Sequence, residues 1–350
     1  MLFQKIILHI IDTMNEERTI SAPFHIIRGK RSGQTIQDVK SYGLTKYFSL
    51  FPRLSIQIYD QNIQQMIQSG WLTINDTAIP KITILGKQKL KDLPILKLNG
   101  WLFRGNERTF FQRLSLVTQT LSHVKAKSLS FTPVQKDEKI QIWVRQFLKS
   151  FPYKSDEFIQ SYYLEIMSCL KSDNLSDLHV SILSHRLAGF EVSGVTWQQL
   201  SNVLNEEQID LQIYFYEGLH ILLDEISTNK SLVLLPKMSE GIKSTTPLTD
   251  SAKRTADLYK QGYSFEQLIS MRQLKTSTIE DHFVEMALND PSFSIQIFFG
   301  KEDLSILIQQ IKNQRTKKLR TLKEIFPLYS YFQLRLLLAV GGAQIDSKSS

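Results

Sequence analysis

Apolar residues recur at helical spacing almost from the first position, and this period dominates most of the 350 residues. The opening run, MLFQKIILHIIDT, predicts a first helix leading into Asn15-Glu16-Glu17-Arg18. It is too short, and lacks the small-residue cleavage site, for a secretory signal. A second helix is expected after Ser21-Ala22-Pro23, then a basic turn, Arg28-Gly29-Lys30-Arg31-Ser32, then further helices ending near Ser69-Gly70 with Gly70 as C-cap. There the period shortens. Residues 71–74 and 79–85 have strand character, and the turn residues Asn75-Asp76-Thr77 lie between them. Pro80 has no N–H to give a ladder, so the pair is predicted as an edge hairpin.

Helices followed by a two-stranded hairpin are the layout of a winged helix, here over residues 1–95. Residues 94–100 read as a connector and 102–121 as a helix. A looser stretch at 128–133 precedes helices over 139–172 that break near Phe151-Pro152. Residues 178–187, 196–204 and 211–226 continue the helical pattern, with Gly189 and Gly194 bracketing a turn that gives 182–199 the form of a degenerate helix-turn-helix. The sequence thus predicts a helical middle domain over 100–235. Residues 236–250 carry Ser, Thr, Gly and Pro without periodicity and read as a linker. Beyond it, 251–260 is a helix ended by Gly262. Ser264-Phe265-Glu266-Gln267 and Ser277-Thr278-Ile279-Glu280 are two capping-box patterns close enough to leave room only for a short helix and a tight turn. That spacing predicts a helix-turn-helix domain over 251–345, with Ile279, Phe283 and Met286 on the inner face of its third helix. The expected fold class is mainly α.

Composition adds limits. Apolar content of 42% and charged content of 22% are ordinary for a folded globular chain. No segment approaches the run of about eighteen apolar residues needed for a membrane span. A single cysteine, Cys169, allows neither an internal disulfide nor a cysteine-based zinc site and suits a reducing cytosol. The net charge of +8 is unevenly spread: residues 101–150 hold nine basic against three acidic, 151–235 four against twelve, 1–50 seven against four, and 301–323 seven against two. Two basic ends around an acidic centre suit a chain that meets DNA through its ends and protein through its middle.

No catalytic chemistry is legible. The glycine of Gly29-Lys30-Arg31-Ser32 lacks the spacing and the preceding buried strand of a phosphate-binding loop. The histidines fall singly, without metal spacing, and no nucleophile stands near a base. The expectation is a non-enzyme with no cofactor, no metal and no small-molecule substrate. The candidate DNA-contacting residues are Arg28, Lys30, Arg31 and Ser32 in the first turn; Lys312, Arg315, Lys317, Lys318, Arg320 and Lys323 in a cationic run; and Ser277 and Thr278 at the start of the third helix of the C-terminal domain. Glu280, Asp281 and Glu285 on that helix would oppose phosphates, so it suits docking onto protein as well as reading DNA.

The run 25–32 (HIIRGKRS), with Tyr42-Gly43-Leu44, 66–72 (MIQSGWL) and 82–87 (ITILGK), resembles the winged-helix half of the RecQ C-terminal domain. The stretch 255–288, above all Ser277-Thr278-Ile279-Glu280-Asp281-His282, with 319–327 and 331–336, resembles the helicase-associated helix-turn-helix domain at the C-terminus of some RecQ enzymes. Both modules in one chain without a motor resemble the YpbB-like proteins of Gram-positive bacteria, associated with a separate RecQ helicase. The resemblance implies that Arg28, Lys30, Arg31 and Ser32 grip backbone phosphates. It also implies a cytoplasmic, nucleoid-associated accessory factor in DNA repair or recombination, whose partners are DNA, held largely without regard to sequence, and a RecQ-type helicase. The hairpin tip Asn75-Asp76-Thr77 lacks the aromatic or histidine wedge of some RecQ wings, which points to holding rather than unwinding. Two alternatives stay open: a sequence-specific transcription regulator, and a protein adaptor without significant DNA binding.

Overall fold

The computed structural model describes residues 1–128, 130–244, 248–290, 292–314 and 316–343. Among them the chain is mainly helical, with nineteen α-helices and one two-stranded sheet. In chain order these are α1 (Leu2–Met14), α2 (Ser21–Arg28), α3 (Gly33–Ser41), α4 (Ile56–Gln68), β1 (Leu72–Ile74), β2 (Pro80–Ile82) and α5 (Ile84–Lys91). The middle holds α6 (Gly100–Phe103), α7 (Glu107–Lys125), α8 (Glu138–Lys149), α9 (Asp156–Leu170), α10 (Asp177–His185), α11 (Trp197–Leu204), α12 (Gln208–Thr228) and α13 (Leu234–Met238). The last third holds α14 (Asp250–Lys260), α15 (Phe265–Arg272), α16 (Thr276–Asn289), α17 (Leu304–Lys312), α18 (Leu319–Ile325) and α19 (Tyr331–Ala343).

These elements form two compact units. A central unit takes Met1–Ile6 and Asp92–Ser244, and a terminal unit takes Ile7–Lys91 together with Thr245–Ser350. The segments read as separate first and last domains therefore share one unit.

The central unit is organised around α12, whose buried residues include Leu211, Ile213, Phe215, Leu219, Leu222 and Ile226. Every residue from Phe215 to Leu223 is buried, so the helix must be surrounded there, and α7, α9, α10, α11 and α13 pack on it. Several acidic residues of this segment turn inward as caps. Asp210, almost fully buried, accepts the N–H groups of Leu2 (2.7 Å) and Phe3 (2.8 Å) at the start of α1. Glu165 accepts those of Val233, Leu234 and Leu235 at 2.9 to 3.0 Å and so caps α13. Glu217 accepts Lys97 N–H at 2.6 Å. The twelve-to-four acidic excess is thus partly spent on unpaired helix N–H groups. The expected linker is also partly structured: α13 runs into it as far as Met238, Arg113 donates to the carbonyls of Met238 (3.0 Å) and Glu240 (2.9 Å), and Ile242 is buried. Its residues 245–247 lie outside the described residues. The 182–199 segment makes no tight helix-turn-helix, because residues 186–196 separate α10 from α11.

In the terminal unit the antiparallel pair β1 and β2 registers Leu72 with Ile82 and Ile74 with Pro80. Strand character was expected to run to Leu85, yet the strand stops at Ile82. Thr83 explains this: its hydroxyl donates to Gly70 O (2.6 Å) and accepts from Gly86 N (3.1 Å), which starts α5. Gly86 is required there, since a Cβ would lie 2.2 Å from Trp71 O.

Candidate nucleic-acid interface

The basic turn joins α2 to α3. Gly29 takes the left-handed conformation (φ 70°) that closes α2, and Ser32 opens α3 as N-cap, accepting from Thr35 N. Between these fixed points Arg28, Lys30 and Arg31 are exposed. The Arg28 guanidinium lies 5.3 Å over the Phe24 ring. The side chains of Lys30 and Arg31 have no hydrogen bond or ion pair among the described residues. Beside the turn lies a recess of about 330 Å³ lined by Phe24, His25, Arg28, Lys30 and Pro52, with no carboxylate in its wall. Burial, then Lys30 and Arg28, hold the His25 pKa below its ordinary value. Three cationic or titratable side chains around an apolar floor suit an anion, and a backbone phosphate fits the pattern. Ser32 is a cap whose hydroxyl also contacts that of Thr35 at 2.9 Å, so its role is to shape the turn.

The cationic run near the other end is divided. Lys317 turns inward. Its N–H donates to both Glu17 carboxylate oxygens (3.0 and 2.9 Å), its ammonium donates to Ser41 O, and that ammonium lies 4.5 Å over the Tyr42 ring. Burial pushes its pKa down. Lys323 donates to the carbonyls of Pro327 and Tyr329, both at 2.8 Å, closing α18. Arg320 is 90% exposed and, among the described residues, pairs only with Glu324, at 3.6 Å. Lys318 is half-buried at the start of α18, and Lys312 is exposed at the end of α17. Arg315 lies outside the described residues. The run therefore does not present one cationic face, because two of its lysines serve the fold.

Around Lys317 the terminal unit holds a buried charge network. Arg18 Nη2 meets Asp38 at 2.8 Å, with Nε at 3.0 Å from both carboxylate oxygens, and Gln34 donates to the same carboxylate at 2.8 Å. Tyr42 donates to Glu17 at 2.5 Å. Burial raises the Asp38 pKa against the pull of Arg18.

Helices α15 and α16 are joined by residues 273–275, with Gln273 left-handed (φ 49°), which is the tight turn the sequence predicted. The first capping box forms, Ser264 with Gln267. The second does not. Helix α16 begins earlier, at Thr276 after Lys275, so Ser277 and Thr278 lie inside its first turn. Past that turn α16 is covered: Ile279 and every residue from His282 to Leu288 are buried. Helices α14, α15, α19 and α3 pack on it. A recognition helix contacts base edges through its N-terminal residues, and on α16 the exposed residues, Thr276 and Ser277, are those of the first turn. Glu285 is turned inward, accepting from Thr249 Oγ1 at 3.0 Å and from Thr249 N.

The cover from α3 is close. Arg335 on α19 bridges the two, donating from Nε to Gln37 (3.0 Å) and pairing with Asp281 at 2.6 Å. A Cβ at Gly33 would lie 2.4 Å from the Asp281 carboxylate, so glycine is what permits the approach. The sequence reading missed a third basic surface, Lys81 on the hairpin and Lys87, Lys89 and Lys91 on α5. The stretch 81–91 holds four lysines and no acid, which was visible, but carrying the strand on to Leu85 hid the start of the helix that holds three of them.

No helix among the described residues is long and apolar enough to cross a membrane. No solved structure matches the chain. Residues 251–338 match the family described as "Helix-turn-helix domain", and the geometry of α15 and α16 agrees with it. Over nearly its whole length the chain is similar to Protein YpbB of Bacillus subtilis (strain 168), 28% identical over 351 residues covering 98% of this chain and 99% of the relative.

Proposed function

We propose that this protein is a non-catalytic DNA-binding accessory factor that partners a RecQ-type helicase and tethers it to DNA in repair or recombination. The observation that carries the DNA-binding part is the cationic turn: Arg28 and Lys30 line a recess free of carboxylates and Arg31 is exposed next to them in the chain, in the same unit as a helix-turn-helix domain. The RecQ partnership rests on the winged-helix and helicase-associated resemblances in the sequence and on similarity to Protein YpbB. Contacts to phosphate give affinity without base reading. A helicase joined to such a partner gains residence time, since linking two weak contacts multiplies their effect. The regulator alternative would use the exposed first turn of α16, where Glu280 and Asp281 follow closely and oppose phosphates.

The experiment has two arms. Mobility shifts with a random duplex, a fork and a single strand should show binding that varies little with sequence and weakens steeply with salt. Purification of the tagged chain from its native cell should bring down a RecQ-type helicase in a nuclease-treated extract. A strong preference for one duplex sequence would favour the regulator reading, and absence of the helicase would end the tethering model.

A further inference from the structure

The central unit has five arginines. Four lie over an aromatic ring: Arg104 over Trp101 (4.8 Å), Arg108 over Tyr216 (5.0 Å), Arg113 over Trp143 (4.2 Å) and Arg186 over Trp197 (4.4 Å). Arg145 has no such seat, hydrogen bond or ion pair among the described residues, and neither does Lys149, one turn further along α8. Both are exposed and stand on the rim of a cavity of about 400 Å³ between α7, α8 and the segment that follows α7. Leu116, Val144 and Leu148 are among its lining residues, and no carboxylate is.

The groove is held open by its own framework. Gln119, buried on α7, donates to Thr132 O (3.1 Å) and accepts from Val134 N (2.8 Å), while Gln141 donates to Gln135 O (2.8 Å). Phe131 is stacked on His123 at 4.4 Å, which fixes the far wall. An aliphatic floor beside two unpaired cations is complementary to a ligand that carries an apolar group next to negative charge.

We infer that this groove binds a short acidic peptide segment, one apolar side chain on the floor and its carboxylates on Arg145 and Lys149. The occupant is a peptide rather than a nucleic acid for two reasons. Of the two rings in the lining, Phe131 is stacked on His123 and Tyr153 carries the Lys154 ammonium at 5.9 Å, so each has a face already engaged, and Leu116, Val144 and Leu148 give burial without base stacking. A strand leaving the groove past Tyr153 meets the exposed Asp156 and Glu157 at the start of α9, whereas a short peptide ends before them. The assignment is independent of the cationic turn of the terminal unit.

The test pans a display library of random short peptides on the full chain, with counter-selection on Arg145→Glu/Lys149→Glu. Clones should converge on Asp or Glu flanking one apolar residue. The synthetic peptide of the leading clone should bind by fluorescence anisotropy, and its affinity should fall by about tenfold or more in Arg145→Gln/Lys149→Gln, which adds no repelling charge. Both positions are exposed, so the thermal midpoint should not move. Failure to enrich such clones, or enrichment insensitive to the glutamine pair, overturns the assignment. So does displacement of the peptide by a poly-dT oligonucleotide whose own affinity falls in parallel in the variant, which would make the groove a nucleic-acid site.

Discussion

Contact and support can be separated with two variants of the terminal unit. The first replaces Arg28, Lys30 and Arg31 together with Glu. Each phosphate contact contributes a slope of about −0.9 to the dependence of log affinity on log salt, so losing three flattens it by up to about 2.7. Over a fourfold rise in salt that is about a 40-fold difference in how far affinity drops. The second is Lys317→Met. It removes the bond to Ser41 O and the contact with the Tyr42 ring, but leaves the Lys317 N–H on Glu17. One hydrogen bond and one cation–π contact, both partly exposed, put the loss of stability at about 1 to 2 kcal/mol, with the salt slope unchanged. Anisotropy of a labelled duplex across a potassium chloride series reads the slopes, and urea unfolding reads the stabilities. A Lys317→Met protein of normal stability whose slope is flatter by about one would show that Lys317 reaches phosphate. An unaltered slope in the triple variant would remove the turn from the interface.

Other outcomes follow from the same unit. Arg18→Met should cost about 3 to 5 kcal/mol, because it strands the Asp38 carboxylate with its side chain 4% exposed. The folded pKa of Asp38 is already raised and rises further without Arg18. A raised carboxyl favours the fold below its ordinary pKa and loses that benefit as pH climbs through the folded value, so the deficit, followed by urea midpoints, should shrink on acidification. His282 is buried against Thr255 at 2.8 Å and its pKa is pushed down to about 4. A depressed histidine supports the fold above its ordinary pKa of 6.5 and loses that support as pH falls toward 4. His282→Asn should therefore weaken the acid sensitivity of unfolding in that window. Gly33→Ala should destabilise by about 1 to 3 kcal/mol through overpacking against Asp281, and adding Asp281→Ala should recover most of the clash; simple additivity of the two would deny the close approach.

Much of the fold was legible where periodicity is strong. The helices of both ends, the hairpin and the tight turn before α16 all follow from apolar spacing and turn residues. The failures have local causes. Ser277-Thr278-Ile279-Glu280 has the pattern of a capping box, but the left-handed Gln273 lets the helix start sooner, which moves those residues inside it. A side chain hydrogen bonding across the hairpin ended β2 early, and no propensity reports that. The cationic run misled for a different reason. Its six charges are close in sequence, yet the atom that takes the Lys317 ammonium, Ser41 O, is 276 residues away. A one-dimensional charge count has no access to such a partner. The cationic turn of residues 28–32 was readable because its determinants, a left-handed glycine and a capping serine, are neighbours.

The division of the terminal unit has a consequence for biosynthesis. Residues 7–91 leave the ribosome before the central unit, while α16 and α19, which cover α3, come after it. At ordinary rates of translation the intervening stretch takes roughly 10 to 30 seconds to make. For that interval the apolar face of α3 has no cover, and the central unit can complete its own core in the meantime. A chain cut short after Ser244 would keep a finished central unit and an early segment with its cover missing, a clear mark for proteolysis. The two ends thus act as a completeness check: the cationic turn gains its full support only in a chain translated through α19.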